Sequence, residues 1–582
     1  MIKTLKNLQK KDLLFICICA AMVVLQVWLD LTMPDYTQKL TESVSSGVLE
    51  MSTVLKNGGM MLMCALGSMT AAIICGFFAA RVAANFAKTL RRKLFDRITD
   101  FSDAEINHFS TPSLITRTTN DVVQMQMLIA IGLQVLIKAP VLAVWAITKI
   151  SATSVEWTSA VAVCVAIMIF TIVVLVLLAY PKFKQIQKLT DRLNDVTREN
   201  IAGVRVVRAF NAEEYQQDKF AAVNEAITKN HLFTSRTLGI MMPVMTVSMS
   251  GLTLAIYWIG AYLINRADIM ERATLIGNMA AFTQYALQVV AAFIMLVAIF
   301  IVMPRTMVSA RRIQEVLGTE PSIVFPEKTA NMPQKGKIEF KNVSFAYADG
   351  EKPCIRNLNF TVELGQTFAI IGATGSGKTT LINLIPRFYD ATEGEVLVNG
   401  RNVKDYPKDQ LESEVSLAPQ KAILFMGDIK SNITYGAKEE ISDADPRIER
   451  SLEIAKADFV SELPDGIHSA VAQGGTNFSG GQKQRLSIAR AVFKDSGIII
   501  FDDTFSALDY KTDMLVRKAL NENLNNSTVI IVAQRIGTIK NADKILVLHE
   551  GEIAGLGKHE ELLRDCPIYK EIALSQLREE EL

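Results

Sequence analysis

The chain has 582 residues, half of them hydrophobic, with a net charge of only +1 and a positive mean hydropathy. That balance gives no sign of a nucleic-acid partner, and no basic arm is present. The seven cysteines (Cys17, Cys19, Cys64, Cys75, Cys164, Cys354, Cys566) lack metal-ligand spacing and lie mostly in apolar blocks, which argues against a disulfide framework.

By length alone the chain would make three or four soluble domains, but its hydrophobicity is concentrated before about residue 305. The start, Met1 to Asp12, is basic and amphipathic: Lys3, Lys6, Lys10 and Lys11 alternate with Ile2, Leu5 and Leu8. The apolar run Leu13–Leu29 is too long for a signal-peptide core and has no small-residue cleavage site after it. A retained helix with an interfacial lead-in is expected.

Six apolar segments follow, at about Leu13–Met33, Gly58–Ala80, Leu128–Ile150, Trp157–Tyr180, Leu238–Ile264 and Leu275–Met303. Each is long enough to cross roughly 30 Å of hydrocarbon as a helix. The connections 80–127 and 181–237 are long and basic, with Arg81, Lys88, Arg91, Arg92, Lys182, Lys184, Arg205 and Arg208 among their cations. The 151–156 and 265–273 connections are short, and 34–57 is moderate in length and carries little positive charge. The positive-inside rule places the long connections and both termini in the cytoplasm of a multi-pass protein of the cell membrane.

Phe86, Leu90, Leu94, Ile98 and Phe101 recur at spacings of three and four, so the second span is expected to continue as an amphipathic helix. Similar periodicity runs through 183–220, and tracts near Ser110–Ile115 and Asn211–Gln217 are candidate turns. Inside the spans, ionisable residues are functional suspects. Lys138 lies near the middle of the third span and either faces a water-filled cavity or makes a structural pair. Asp30 and Asp35, near the outer end of the first span, belong either to an external gate or to a solvated helix end. Met-rich stretches, Met60–Met63 and Met241–Met245, suit adaptable apolar contacts and equally suit packing.

Pro321, Pro326 and Pro333 then break the pattern. The expected division is a transmembrane part over 1–315, a linker over 316–336 and an α/β domain over 337–582, where short β-branched runs alternate with glycine turns and amphipathic helices.

In that last part, the apolar strand 367–371 runs into Gly372-Ala373-Thr374-Gly375-Ser376-Gly377-Lys378-Thr379, followed by Thr380. This is a phosphate-binding loop in its strand–loop–helix setting. Glycines let backbone N–H groups converge on phosphate oxygens, Lys378 reaches the β- and γ-phosphates, and Thr379 ligates Mg²⁺. A second strand, 497–501, ends in Asp502-Asp503, and a carboxylate there suits Mg²⁺ coordination through water. Between them stands Phe478-Ser479-Gly480-Gly481-Gln482, a serine and two glycines opening a helix, which makes a second anion site.

The last tract resembles the signature motif of ATP-binding-cassette transporters, Leu-Ser-Gly-Gly-Gln, departing only at Phe478. The resemblance extends over essentially the whole chain. It implies a type IV exporter fold, a membrane bundle of six transmembrane helices joined to a cytoplasmic α/β P-loop ATPase, with ATP and Mg²⁺ as cofactors. It also assigns roles: Tyr347 stacks on adenine, Gln420 is the Q-loop residue that contacts Mg²⁺ and water, and Ser506-Ala507-Leu508-Asp509 is the D-loop. Tracts 113–121 and 199–206 resemble the exporter's intracellular loops, whose coupling helices dock on the ATPase domains.

Three further positions depart from the family. Asp503 stands where the family has the Glu that activates water, and Gln534 where it has the switch-loop His. Gln473 stands where exporters commonly carry Glu. Asp is one methylene shorter than Glu, and a misplacement of ~1 Å can cost about 10²-fold in rate. Gln534 can donate a hydrogen bond but cannot carry charge. The family sandwiches two ATPs between paired domains, each against one chain's phosphate loop and the other's signature. The chain therefore resembles the degenerate-site subunit of a bacterial heterodimeric multidrug exporter. The expected partners are a homologous half-transporter with the consensus Glu and His, membrane lipids and a small amphipathic substrate. The alternatives are a nucleotide-gated regulatory or channel subunit and an importer on the exporter fold, as in some siderophore systems.

Overall fold

The computed structural model describes residues 10–46, 51–151, 155–327, 336–347, 350 and 352–576. The basic lead-in before Lys10 and linker residues 328–335 lie outside the described residues. The chain divides into two compact units: Met1–Thr99 with Pro112–Thr319, and Asp100–Thr111 with Glu320–Leu582.

The first unit is helical. Its helices run over Lys10–Ser45, Met51–Thr99, Asn120–Ser151, Val155–Ala202, Glu213–Gly239, Met241–Arg266 and Ile269–Gly318, with the short Thr111–Thr118 and Val204–Ala209 between them. Among the described residues, six stretches are long and apolar enough to span a membrane; they contain five of the six segments read from the sequence and the sixth as far as Leu296. A span needs about 20 residues, so a helix of 49, such as Met51–Thr99, continues well beyond the hydrocarbon. Its extension is the expected amphipathic one, with Phe86, Leu90 and Leu94 fully buried.

The two expected turns are tighter than the sequence suggested. The backbone breaks at Ser110 and Asn211, both with positive φ, and helices restart at Thr111 and Glu213. Asn tolerates the left-handed region because its short side chain can bond locally, so the break at 210–212 is short and most of each presumed turn is helix. Pro34, Pro140 and Pro181 lie inside long helices, which membrane helices accept because neighbouring groups satisfy the freed carbonyls.

The core of this unit starts from one face of the first span, where Cys19, Val23, Val27 and Leu31 are buried at intervals of four. Trp157 is fully buried, its ring 5.1 Å from Phe282 and its indole N–H donating to the Ile256 carbonyl at 3.2 Å.

The second unit is α/β. Its strands are β1 Ile338–Phe345, β2 Ile355–Val362, β3 Thr367–Ile371, β4 Glu393–Val398, β5 Arg401–Asn402, β6 Val415–Ala418, β7 Gly427–Asp428, β8 Ala470–Val471, β9 Ile498–Asp502, β10 Thr528–Val532, β11 Lys544–His549 and β12 Glu552–Gly557. A six-stranded sheet has the order β12-β11-β3-β10-β9-β6, parallel from β11 to β6. A four-stranded antiparallel sheet has the order β2-β1-β4-β5. β9 and β10 are buried at every residue, as expected for parallel strands covered on both faces.

The segment Asp100–Thr111, from within the 1–315 stretch, groups with this second unit. Its helix Asp103–Phe109 is capped by Ser102, and Glu105 accepts from the Ser322 amide at 3.3 Å. Phe325, in the linker, lies beneath the Arg387 guanidinium at 4.7 Å.

Candidate functional site

Four parallel strands end on one edge of the large sheet. Ile370 stands opposite Val532, Val532 opposite Asp502, and Ala418 opposite Phe501. The residues just past these ends therefore converge: the glycine-rich loop after β3, Asp503 after β9, Gln534 after β10 and Gln420 after β6. Ligands of open α/β sheets bind outside the carboxyl ends of the strands.

Loop geometry explains the glycines. A Cβ on Gly372 would lie 2.1 Å from the Leu548 carbonyl oxygen, and Gly377 has φ of 100°. Both positions exclude a side chain. Ala373, Thr374 and Gly375 are exposed at the loop tip, and Ser376 is buried. Lys378 is buried and donates to the carbonyls of Gly372 and Ala373 at 2.8 Å each. Burial pulls its ammonium below the usual lysine range, opposed by the charges of Asp503 and Asp502. A buried ammonium held by carbonyl dipoles gains from an anion, so the loop suits a phosphate chain.

Thr379 Oγ1 lies 3.4 and 3.3 Å from the two carboxylate oxygens of Asp502. Burial pushes the Asp502 carboxyl above its ordinary range, and Asp503 adds to this. Hydroxyl and carboxylate oxygens side by side make a donor set that suits Mg²⁺, and a divalent cation there would offset the burial of the charge. Tyr347 is partly exposed. Its hydroxyl pairs with Thr380 Oγ1 at 2.9 Å, and its ring meets those of Phe345 and Tyr389 edge-on. The exposed aromatic face close to the phosphate loop suits base stacking.

Asp503 is the pivot. Its φ is 45°, its amide donates to the Val532 carbonyl at 2.9 Å, and its Oδ2 accepts from Gln420 Nε2 at 3.3 Å and Gln534 Nε2 at 3.0 Å. Burial raises its carboxyl, with these amides and Lys378 acting in the opposite direction. The carboxylate thus faces two neutral donors. Gln534, Asp503, Phe505, Ser506 and Arg535 line a cleft of about 310 Å³.

The signature tract opens the helix Gly480–Phe493. Ser479 caps it, with Oγ accepting from the Gln482 amide at 3.3 Å and Gln482 Oε1 accepting from the Ser479 amide at 2.9 Å. Ser479 and Gly480 are exposed, and a Cβ on Gly480 would meet nothing within 4 Å, so this helix start is open to a ligand. Phe478 packs in the core beside Phe459, which accounts for an aromatic in place of Leu. The D-loop candidates adjoin both features. Ser506 Oγ donates to the Asp503 carbonyl at 2.7 Å, and a Cβ on Gly481 would lie 3.5 Å from the Ala507 carbonyl oxygen. Leu508 is buried, and Asp509 caps the helix Tyr510–Asn523 through the Thr512 amide.

Sequence reasoning missed Gln484 and Thr504. Gln484 donates to the Pro419 carbonyl at 3.3 Å and Thr504 to the Ala418 carbonyl at 3.1 Å, which sets the origin of the Gln420 loop. Their partners are 65 and 86 residues away, and no local pattern marks them.

In the helical unit, Lys138 makes an ion pair, which is compatible with either of its two expected roles. Its Nζ lies 3.2 Å from Asp30 Oδ2, and Ser68 donates to the other Asp30 oxygen. Asp35, partly exposed, is engaged by Lys149 at 2.8 Å and by the Tyr285 hydroxyl. Lys149, Ser68 and Tyr285 were missed. Lys149 had a signal, because eleven residues from Lys138 is close to three turns at about 3.6 residues each, so both lysines share a helix face.

Comparisons with known proteins agree with this geometry. The family model for the ABC transporter transmembrane region matches residues 13–293, and that for the ABC transporter matches 355–506. An uncharacterized ABC transporter ATP-binding protein of Mycobacterium tuberculosis (strain CDC 1551 / Oshkosh) is 36% identical over 546 residues, covering 92% of each chain. An ATP-dependent lipid A-core flippase of Syntrophus aciditrophicus (strain SB) is 30% identical over 524 residues, 88% of this chain and 83% of that one. The solved structure of a bacterial Atm1-family ABC exporter with ATP bound shares the fold, with a TM-score of 0.81 at 22% identity, over 98% of this chain and 100% of that one.

Fold and site together define a multi-pass membrane protein whose attached α/β domain binds ATP to drive transport. The chain belongs to the ABC transporter family, as a half-transporter with the exporter fold.

Proposed function

We propose that this chain is the hydrolytically impaired half of a heterodimeric exporter that moves amphipathic or hydrophobic compounds out of the cell. Both termini face the cytoplasm in this reading. The observation that carries it is Asp503. Its carboxylate occupies the position of the water-activating base on a side chain one methylene short, and its Oδ2 is engaged by Gln420 and Gln534. A general base must reach the proton it takes, and neither amide can replace the charge or the proton relay of a histidine.

The groups that would bind MgATP are in order: Lys378, Thr379 and Asp502 for phosphate and Mg²⁺, and Tyr347 for the base. The open helix start at Ser479 and Gly480 would complete the competent site of a homologous partner that carries Glu and His. An amphipathic substrate is supported by the likeness to a relative named as a lipid A-core flippase.

The test is steady-state ATPase with the purified full chain, alone and mixed with a candidate partner half. Alone, it should turn over at least about 10²-fold more slowly than the pair, while still binding MgATP. Robust turnover by a verified homodimer would refute the impaired-site reading. With the pair in inside-out vesicles, ATP-dependent uptake of an amphipathic dye supports export.

A further inference from the structure

Gln576 stands just past the helix Pro567–Leu574, close to the end of the chain. Its side-chain amide reaches the backbone of the loop after β10 at two points. Nε2 donates to the Gln534 carbonyl at 2.7 Å, and Oε1 accepts from the Ile536 amide at 2.9 Å. A primary amide carries one donor group and one acceptor on the same planar unit, so it can meet a carbonyl and an N–H two residues apart as a neighbouring strand does. The intervening residue, Arg535, is extended, with φ −105° and ψ 127°. The loop is thereby held straight from Gln534 to Ile536. From that braced backbone the Gln534 side chain reaches into the site and donates to Asp503 Oδ2 at 3.0 Å.

The brace has a firm base. In the helix that delivers Gln576, Tyr569 and Ala573 are fully buried, and the Tyr569 hydroxyl pairs with His559 Nδ1 at 2.7 Å. Gln576 itself is exposed, so its side chain contributes little to the core and can be changed without opening a cavity.

We propose that Gln576 is a positioning residue of the nucleotide site: by fixing the main chain at Gln534 and Ile536, it sets where the Gln534 amide stands and so governs how well this site distinguishes ATP from ADP. The proposal rests on the function proposed above and takes Gln534, which stands where the family has its switch-loop His and can donate a hydrogen bond, as the group that meets the γ-phosphate of bound ATP. Free of the brace, the loop has more conformations to lose when the amide engages a terminal phosphate. ADP offers no γ-phosphate and does not draw on that contact.

The experiment uses the full-length chain in detergent or nanodiscs. MgATP and MgADP affinities are measured by displacement of a fluorescent ATP analogue, for Gln576→Ala, Gln534→Ala and the double variant. Gln576→Ala should lower ATP affinity by about three- to tenfold and leave ADP affinity and the thermal midpoint unchanged. In the Gln534→Ala background it should add nothing, because the amide it positions is gone. Gln576→Glu keeps the acceptor for Ile536 but loses the donor to Gln534, and should fall between the parent and the alanine variant. Should Gln534→Ala reduce the ATP preference while Gln576→Ala does not, or should ATP and ADP affinities fall together, the positioning role is overturned. An unchanged ATP preference in Gln534→Ala overturns the γ-phosphate reading instead, and the proposal with it.

Discussion

Asp502 ends a strand that is buried along its whole length. Burial raises its carboxyl above the ordinary range. A folded-state pKa above the unfolded value means that the stability available while the group is protonated is lost as pH rises through the folded pKa. At neutral pH the charge is therefore a net cost to the nucleotide-free domain, one that Mg²⁺ would relieve. Asp502→Asn should stabilise the nucleotide-free protein by about 1 kcal/mol and abolish the extra stabilisation given by MgATP. Thermal unfolding with and without MgATP reads both effects, and a lower nucleotide-free midpoint in the variant would contradict the first. Asp503 and Gln534 belong to the same scale. Both departures from the family pattern were legible in the sequence because they sit beside motif residues. That Gln534 bonds to Asp503 across 31 residues was not.

At the scale of elements, the six spans and their extensions follow from hydrophobic periodicity. What periodicity does not contain is which polar side chains meet between helices. Asp30 and Lys138 are 108 residues apart in sequence and form one part-buried ion pair. Lys138→Ala would leave the Asp30 charge uncompensated beside Ser68, which should destabilise the helical unit by about 3 kcal/mol. Replacing both residues, as in Lys138→Met with Asp30→Leu, should restore much of that loss. Monodisperse yield and thermal midpoint after solubilisation test the pair. A single variant as stable as the parent, yet altered in substrate range, would instead assign Lys138 to the transport pathway.

For the whole molecule, the proposed division of labour between two halves leads to an asymmetric outcome. In the assembled pair, Asp503→Asn should lower steady-state ATPase by less than about twofold, since this chain's own site contributes little hydrolysis. Gly480→Asp should remove most of it, because an acidic side chain at the open start of the Gly480–Phe493 helix would repel the phosphate of the partner's nucleotide. Assembly is checked first by co-purification. If Asp503→Asn proves the more damaging change, Asp503 is a working base and the impaired-site reading fails.

The sequence by itself determined the class of protein, the number of spans, the phosphate loop and signature, and the departures from the family pattern at Asp503 and Gln534. These are carried by runs of adjacent residues or by helical and strand periods, whose physics is local. Only the tertiary structure decided how the ends of β3, β6, β9 and β10 bring Lys378, Gln420, Asp503 and Gln534 together, because that convergence depends on strand order and register. It also decided that Lys138 is paired and that Gln576 lies against the Gln534 backbone. Such contacts come from packing between segments distant along the chain, and a polar side chain carries no local mark of the partner it will meet there.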